Sequence, residues 1–363
     1  MLSSIESAIK DIKEGKLIIV VDNEDRENEG DFICAAETIT PDIVNFMATQ
    51  GRGLICAPLE ESRADELNLP LMVRSNTALH ETAFTVSIDL IGHGCSTGIS
   101  TYDRALTIKA LTDQKMVGSD FARPGHIFPL RAKSGGVLQR TGHTEATIDL
   151  ARMAGLKPVG ALVEILNEDG SMARMPQLLQ KAKQFDLKII SISDLVAYRL
   201  QSERLVKLDQ QWTHMMSFGP IEIIQYSQYN SNDKHIAFVK GNINSNNKTQ
   251  VRVQYCDAMS ELIDLFIHGS SSKLKRALDI ISKAESGVLL LITNNQKEPI
   301  ALDNIIHSKI EIPKQEQDLR EIGIGAQILK DLGIRTMSLI TNNPRKNIAL
   351  NGYGLDVEDY IAF

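Results

Sequence analysis

The chain has 363 residues, of which 43% are apolar, and a formal net charge of −7 at pH 7. That length suggests two domains with ordinary cores, and the negative balance leaves no broad basic surface of the kind that nucleic acid requires. The amino terminus lacks an apolar signal core and the apolar runs fall far short of a membrane span, so a cytoplasmic protein without a membrane partner is expected.

Strand-like and helix-like patterns alternate from the start. Ser4 reads as the cap of a helix with Ile5, Ala8, Ile9 and Ile12 on one face, ending near Gly15. The apolar run 17–21 reads as a buried strand. Thr40-Pro41-Asp42 supplies a cap, a first-turn proline and a dipole-favourable acid for a helix to about Gln50. Strands follow at 53–59 and 83–90, a helix capped by Ser100 or Thr101 runs to about Leu111, and another covers 144–154. The strand 161–166 leads through Asn167-Glu168-Asp169-Gly170 into a hairpin onto 171–175; then come a helix at 176–185, a strand at 187–192 and a short helix at 193–200. Charged and polar residues at 201–212 break the pattern and mark a boundary. Beyond it, strands are expected at 221–225 and 235–239, a long hairpin loop at 241–250, helices at 273–284 and 318–332, and strands at 288–293 and 337–341. The four cysteines, Cys34, Cys56, Cys95 and Cys256, form no C-x-x-C pair, which fits reduced thiols better than a disulfide framework or a zinc knuckle.

The segment after the first strand, Asp22-Asn23-Glu24-Asp25-Arg26-Glu27-Asn28-Glu29-Gly30-Asp31-Phe32, is the most informative in the chain. A charge run is most often a solvated loop. Carboxylates crowded this closely repel one another unless a cation sits among them, however, and a hard divalent metal is the natural partner. An EF-hand fits poorly, because that loop needs Gly at its sixth position and Glu at its twelfth, whereas Gly30 is the ninth residue from Asp22.

Three further segments carry polar groups that a core would not select. His126 lies in Arg123-Pro124-Gly125-His126-Ile127-Phe128-Pro129-Leu130, where a lone His is more often structural. Arg140-Thr141-Gly142-His143-Thr144-Glu145-Ala146 is a turn opening a helix; its free N–H groups with Arg140 and Thr144 suit a phosphate, and His143 suits a metal, while Thr144 could equally be a simple N-cap. Glu164 sits in the middle of the apolar strand Ala161-Leu162-Val163-Glu164-Ile165-Leu166, a costly place for an unpaired carboxylate.

Together these segments, with Phe84-Thr85-Val86-Ser87-Ile88-Asp89, Thr97-Gly98-Ile99-Ser100 and Met172-Ala173-Arg174-Met175, resemble 3,4-dihydroxy-2-butanone 4-phosphate synthase, the lyase of riboflavin biosynthesis, over roughly residues 1–200. Asn23 departs from the family, which usually has a second Asp there. The resemblance implies conversion of D-ribulose 5-phosphate to L-3,4-dihydroxy-2-butanone 4-phosphate and formate, with two Mg2+ or Mn2+ ions per site and a homodimer. By position it implies Glu27 and His143 as metal ligands. Arg26, Glu27, Asp31, Arg140, Thr141, Gly142, His143, Thr144 and Glu164 are the implied substrate contacts. Glu164, His126 and, as a further acid or base, Glu29 are the implied catalytic groups. The expected fold is α+β, a mixed sheet flanked by helices over residues 1–203, followed by a second mixed α/β domain over 207–363.

That second part resembles GTP cyclohydrolase II through Asp318-Leu319-Arg320-Glu321-Ile322-Gly323-Ile324-Gly325-Ala326-Gln327-Ile328-Leu329, Thr341-Asn342-Asn343-Pro344-Arg345-Lys346 and Gly352-Tyr353-Gly354-Leu355. The family needs three cysteines for a catalytic zinc. Here Val251-Arg252-Val253-Gln254-Tyr255-Cys256-Asp257 holds one and 267–273 offers none, so Cys256 with His268 makes at best two ligands. Thr293-Asn294-Asn295-Gln296-Lys297-Glu298-Pro299 replaces the nucleotide loop. No zinc and no GTP hydrolysis are expected. The alternatives are a bifunctional enzyme with an unusual cyclohydrolase site and a non-catalytic subunit that binds sugar phosphate.

Overall fold

The computed structural model describes residues 2–23, 26–79, 82–229, 233–243, 248–256, 269, 272–293, 319–342 and 353–363. The chain divides into two compact units, Met1–Tyr198 and Arg199–Phe363. The division falls inside one helix.

The first unit opens with α1 (Ile5–Lys13), whose Ser4 hydroxyl accepts from the Ser7 amide at 3.3 Å. β1 (Ile18–Val21) and β2 (Gly30–Ala35) form an antiparallel hairpin in which every residue is buried. β2 was hidden in the sequence because it begins inside the acidic run. Then come α2 (Pro41–Phe46), prolonged by a wider turn through Gly51, β3 (Cys56–Glu60), the short α3 (Glu61–Glu66), β4 (Ile88–Leu90) and α4 (Thr101–Ala110). The strand expected at 83–90 is confined to its last three residues, with Phe84 and Thr85 in isolated bridges.

β5 (Phe121–Ala132) is a twelve-residue strand that the sequence disguised, because Pro124, Gly125 and Pro129 all argue against strand. A register shift between Ile88 and Asp89, where β4 pairs with β5, accommodates the irregular stretch. α5 (His143–Met153), β6 (Gly160–Glu164), α6 (Met175–Gln184), β7 (Ile189–Ser191) and α7 (Ile192–Ser202) complete the unit.

The sheet order is β4-β5-β3-β6-β2-β1-β7, with β3–β5 and β1–β7 parallel and the other pairs antiparallel. Strand alternation divides its two faces. Phe32 points into the larger core and packs edge-on against Phe46, ring centroids 5.2 Å apart, which in turn meets Phe185 at 4.9 Å. Asp31, one residue earlier, points to the other face, where α5 lies against β1, β2, β3 and β6.

In the second unit β8 (Val206–Met216) runs through the stretch read as a boundary; it is an edge strand, mostly exposed, so it shows no hydrophobic alternation. β9 (Gly219–Gln228), β10 (Lys234–Lys240), β11 (Thr249–Cys256), α8 (Lys273–Lys283), β12 (Gly287–Thr293), α9 (Leu319–Asp331), β13 (Thr336–Ile340) and β14 (Asp356–Ile361) follow. The order β14-β13-β11-β12-β10-β9-β8 makes a second mixed sheet. The loop from Gly241 does not close a hairpin, because β12 lies between β10 and β11 and pairs with both. His268, Asp318 and segments 294–299 and 343–352 lie outside the described residues.

Phe32→Ala removes a fully buried ring from the larger core. The expected cost is about 3–5 kcal/mol, read as a lower urea midpoint for the first unfolding transition.

Candidate active site

The described residues of the acidic turn are held by one carboxylate. Asp22, buried at the end of β1, accepts from the Glu29 amide at 2.8 Å through one oxygen. Its other oxygen accepts from the Glu27 amide and Arg26 Nη1, both at 3.0 Å. Three donors on one carboxylate wind the loop around it. Arg26 Nη1 also lies 2.8 Å from Glu27 Oε2. From the start of α6, Arg174 Nη1 donates to the Glu27 carbonyl at 3.0 Å and to the Asn28 carbonyl.

His143 is the first residue of α5, after Gly142 at the N-cap. A Cβ on Gly142 would fall 2.4 Å from Arg140 Nη1 and 2.9 Å from Glu145 Oε2, so a side chain there would displace that ion pair. His143 Nε2 lies 3.2 Å from the Val20 carbonyl and donates to it. That bond commits Nε2–H to the carbonyl and turns Nδ1 toward Glu27 Oε2 at 3.7 Å, so Nδ1 is the nitrogen whose proton a metal would replace. Ligand atoms of Asp22, Glu27 and His143 all lie within 4.8 Å of one another, the one such grouping among the described residues.

Asp31 stands beside Glu164 in cross-strand register. Asp31 is buried and its Oδ1 has no hydrogen-bond partner. Glu164 Oε2 accepts from the Leu54 amide at 2.8 Å.

The charges explain the titration. Burial raises the Glu27 carboxyl, but the His143 ring and the Arg26 guanidinium outweigh it and hold it at about 2. Burial pushes Asp31 up to about 7; His143 pulls against that, while Glu164, Glu27 and Glu29 add to it. Burial alone would lower His143, yet Asp31, Glu27 and Asp22 lift it to about 9. Glu29 is raised by burial and by Glu27. An ionised carboxylate, Glu27, beside an imidazole that keeps its proton against burial only because acids surround it is the donor set of a divalent cation, which would exchange for that proton. The residues present therefore fit a metal.

The structure thus brings Arg26, Glu27, Glu29, Asp31, His143 and Glu164 together. Arg140, Thr141, Gly142 and Thr144 sit beside them at the start of α5. Thr144 is buried within the helix rather than capping it. Arg140 Nη1 is 2.7 Å from Glu145 Oε2, and Glu145 Oε1 accepts from the Lys133 amide at 3.1 Å. His126 is set apart. It lies on β5, with β3 between it and β6, and its Nδ1 is 2.7 Å from Asp89 Oδ2 while its amide donates to Asp89 Oδ1 at 2.9 Å. Four neighbours of the site escaped the sequence reading of roles. Asp22 and Arg174 shape the loop and Asp89 orients His126. Cys56 is a buried thiol that burial, Glu164 and Asp31 push far up. Only Asp22 carried a local signal, as an Asp opening a turn.

An α+β unit with an acidic turn, an oriented imidazole and a cross-strand pair of carboxyl groups defines a metal-fitted enzyme of proton-transfer chemistry. Residues 6–198 match the family model of 3,4-dihydroxy-2-butanone 4-phosphate synthase and residues 208–362 that of GTP cyclohydrolase II. A relative from Cytophaga hutchinsonii, "Riboflavin biosynthesis protein RibBA", is 48% identical over 99% of this chain and 92% of its own. A crystal structure from A. baumannii, described as "RibBX, a two domain 3,4-dihydroxy-2-butanone 4-phosphate synthase", superposes with a TM-score of 0.73 at 37% identity over 99% of both chains. A synthase structure "in complex with two Magnesium ions" is 40% identical with a TM-score of 0.53 over 55% of this chain and 98% of its own. The chain belongs to the 3,4-dihydroxy-2-butanone 4-phosphate synthase family, its synthase domain joined to one of the GTP cyclohydrolase II family. It is an enzyme, a lyase of riboflavin biosynthesis. No helix among the described residues is long and apolar enough to cross a membrane.

The shifts set the pH dependence of the metal-free protein. His143, raised from 6.5 to about 9, stabilises fully below pH 6.5 and loses that contribution as pH rises through 9. Glu27, lowered from 4.5 to about 2, stabilises above pH 4.5 and loses its contribution as pH falls through 2. With a chelator present, the urea midpoint should decline from about pH 6.5 to 9, and His143→Ala should flatten that limb.

Proposed function

We propose that Glu27 and His143 hold divalent cation in this site and that ribulose 5-phosphate is bound and cleaved beside it. The observation that carries the reading is the Val20 carbonyl, which occupies His143 Nε2 and aims Nδ1 at Glu27. When bound, Mg2+ or Mn2+, two per site, supplies Lewis acidity toward the sugar's carbonyl and hydroxyl oxygens.

The chain's own groups do the rest. Arg140, Thr141, Gly142 and Thr144, with the free amides of α5, take the phosphate. Arg26 and Asp31 contact the sugar. Burial raises Asp31 to about 7, so it can give or take a proton near neutral pH. Glu164, fixed by the Leu54 amide, moves protons during enolisation and dehydration, and Glu29 is a further acid or base. His126, braced by Asp89, is the remaining catalytic group. The five-carbon substrate divides into the four-carbon ketone phosphate and formate with no co-reactant. Acid–base help of about 10²–10⁴-fold amounts to roughly 3–5 kcal/mol, short of the ~8–23 kcal/mol typical of enzymes, so the cation's charge is needed as well.

The active protein is proposed to be a cytoplasmic homodimer. Leu71, Met72, Val73, Leu79, Ile91 and Tyr102 are exposed within one stretch of the first unit, an apolar concentration that favours association. The synthase domain is assigned residues 1–203 and the cyclohydrolase-like domain 207–363. The latter is proposed to lack GTP hydrolysis, because its one cysteine, Cys256, leaves a catalytic zinc short of ligands.

Glu27→Gln and His143→Ala should each lower formate release from ribulose 5-phosphate by at least ~10²-fold with unchanged circular dichroism; near-normal turnover in either would remove the metal assignment. Zinc-loaded protein incubated with GTP should give no diaminopyrimidine product and retain no stoichiometric zinc. Appearance of that product would restore the bifunctional reading.

A further inference from the structure

Met172-Ala173-Arg174-Met175 carries none of the groups assigned to metal or sugar, yet it grips the acidic turn at its most constrained point. The Ala173 amide donates to the Ile165 carbonyl at 3.0 Å, one residue beyond Glu164, so the segment is fixed to the end of β6. The Arg174 amide donates to Gln177 Oε1 at 3.1 Å, which sets the start of α6. One turn on, Leu178 fills the space beside Gly30, where a Cβ would fall 2.5 Å from Leu178 Cδ1. α6 is therefore seated on the first residue of β2, and the half-buried Arg174 side chain reaches back over the turn.

Arg174 Nη1 donates to two successive carbonyls, Glu27 at 3.0 Å and Asn28. Asn28 has a φ of 56°, in the left-handed region that asparagine tolerates better than most residues. The peptide joining Asn28 to Glu29 is held at both ends: Arg174 takes its carbonyl, and Asp22 takes its N–H at 2.8 Å. Rotation of that plane would break a charge-assisted bond on each side.

We propose that Arg174 is a positioning residue that locks this peptide and so keeps Glu27 turned toward His143 before a cation arrives. The inference rests on the metal site proposed above. Asp22 holds only amides and a guanidinium of the turn, so without Arg174 the two carbonyls are free to rotate. Arg174 supplies no ligand atom; it removes ordering that cation binding would otherwise require.

The test uses the full chain with Mn2+ as the probe. Binding of Mn2+ to substrate-free protein, followed by electron paramagnetic resonance, should weaken about tenfold in Arg174→Ala, the loss expected when a charged hydrogen-bond donor is removed. In the ribulose 5-phosphate assay the metal concentration for half-maximal rate should rise by the same factor, while kcat at saturating metal falls less. Arg174→Lys should recover most of the loss, because one nitrogen serves both carbonyls, and it covers misfolding of the alanine variant. Hydrogen exchange of metal-free protein should be faster across residues 27–29 in Arg174→Ala and near wild type in Arg174→Lys. Equal Mn2+ binding by wild type and Arg174→Ala, unchanged exchange, or a loss of turnover that saturating metal does not relieve would each overturn this proposal alone. Wild-type protein that binds no Mn2+ would overturn the metal assignment and this proposal with it.

Discussion

The carboxylate of Asp22 is the constraint on which the site depends. It accepts two backbone amides and one guanidinium from the turn that follows it, and so holds Arg26, Glu27 and Glu29 in one geometry. Removing such an acceptor would leave buried N–H groups unsatisfied and release the loop. The same strand end supplies the second anchor, since the Val20 carbonyl, two residues earlier, sets the imidazole of His143. Two adjacent features of β1 therefore place the two groups proposed as ligands, although 116 positions separate Glu27 from His143 in the chain.

The electrostatics are those of a site built around positive charge. Glu27 is held ionised, His143 is held protonated and Asp31 is raised to about 7, three outcomes of the same crowding. Each proton or guanidinium partly neutralises a neighbour that burial would otherwise penalise. Asp31 illustrates the balance, with one oxygen buried and without a hydrogen-bond partner beside Glu164. A cation entering among these groups displaces protons rather than requiring new negative charge. Stability and binding are thereby coupled in one cluster.

The second unit repeats the general architecture, a mixed sheet with helices, without repeating the acidic chemistry among its described residues. Gln327 in α9 ties down the segment after α7, accepting from the Leu205 amide at 2.7 Å and donating to the Glu203 carbonyl. The entry into the second domain is thus ordered by a residue of the motif that resembles GTP cyclohydrolase II.

The helices were legible where a local rule sufficed: Ser4, Thr40 and Ser100 each cap the helix that their side chains announced. β1 was legible as an apolar run. β2, β5 and β8 were not, because the first begins in charge, the second contains two prolines and the third is exposed at a sheet edge. The types of chemistry were likewise readable from the acidic turn, the His143 turn and Glu164, since residue type alone says what can ligate, donate or take a proton. The amino-acid sequence by itself thus determined the family, the two-part organisation and the inventory of reactive groups. Only the tertiary structure decided their arrangement: Asp31 against Glu164, His143 against Glu27, and His126 with Asp89 beyond β3. Those outcomes depend on strand order and register, which arise from long-range pairing that no local pattern encodes.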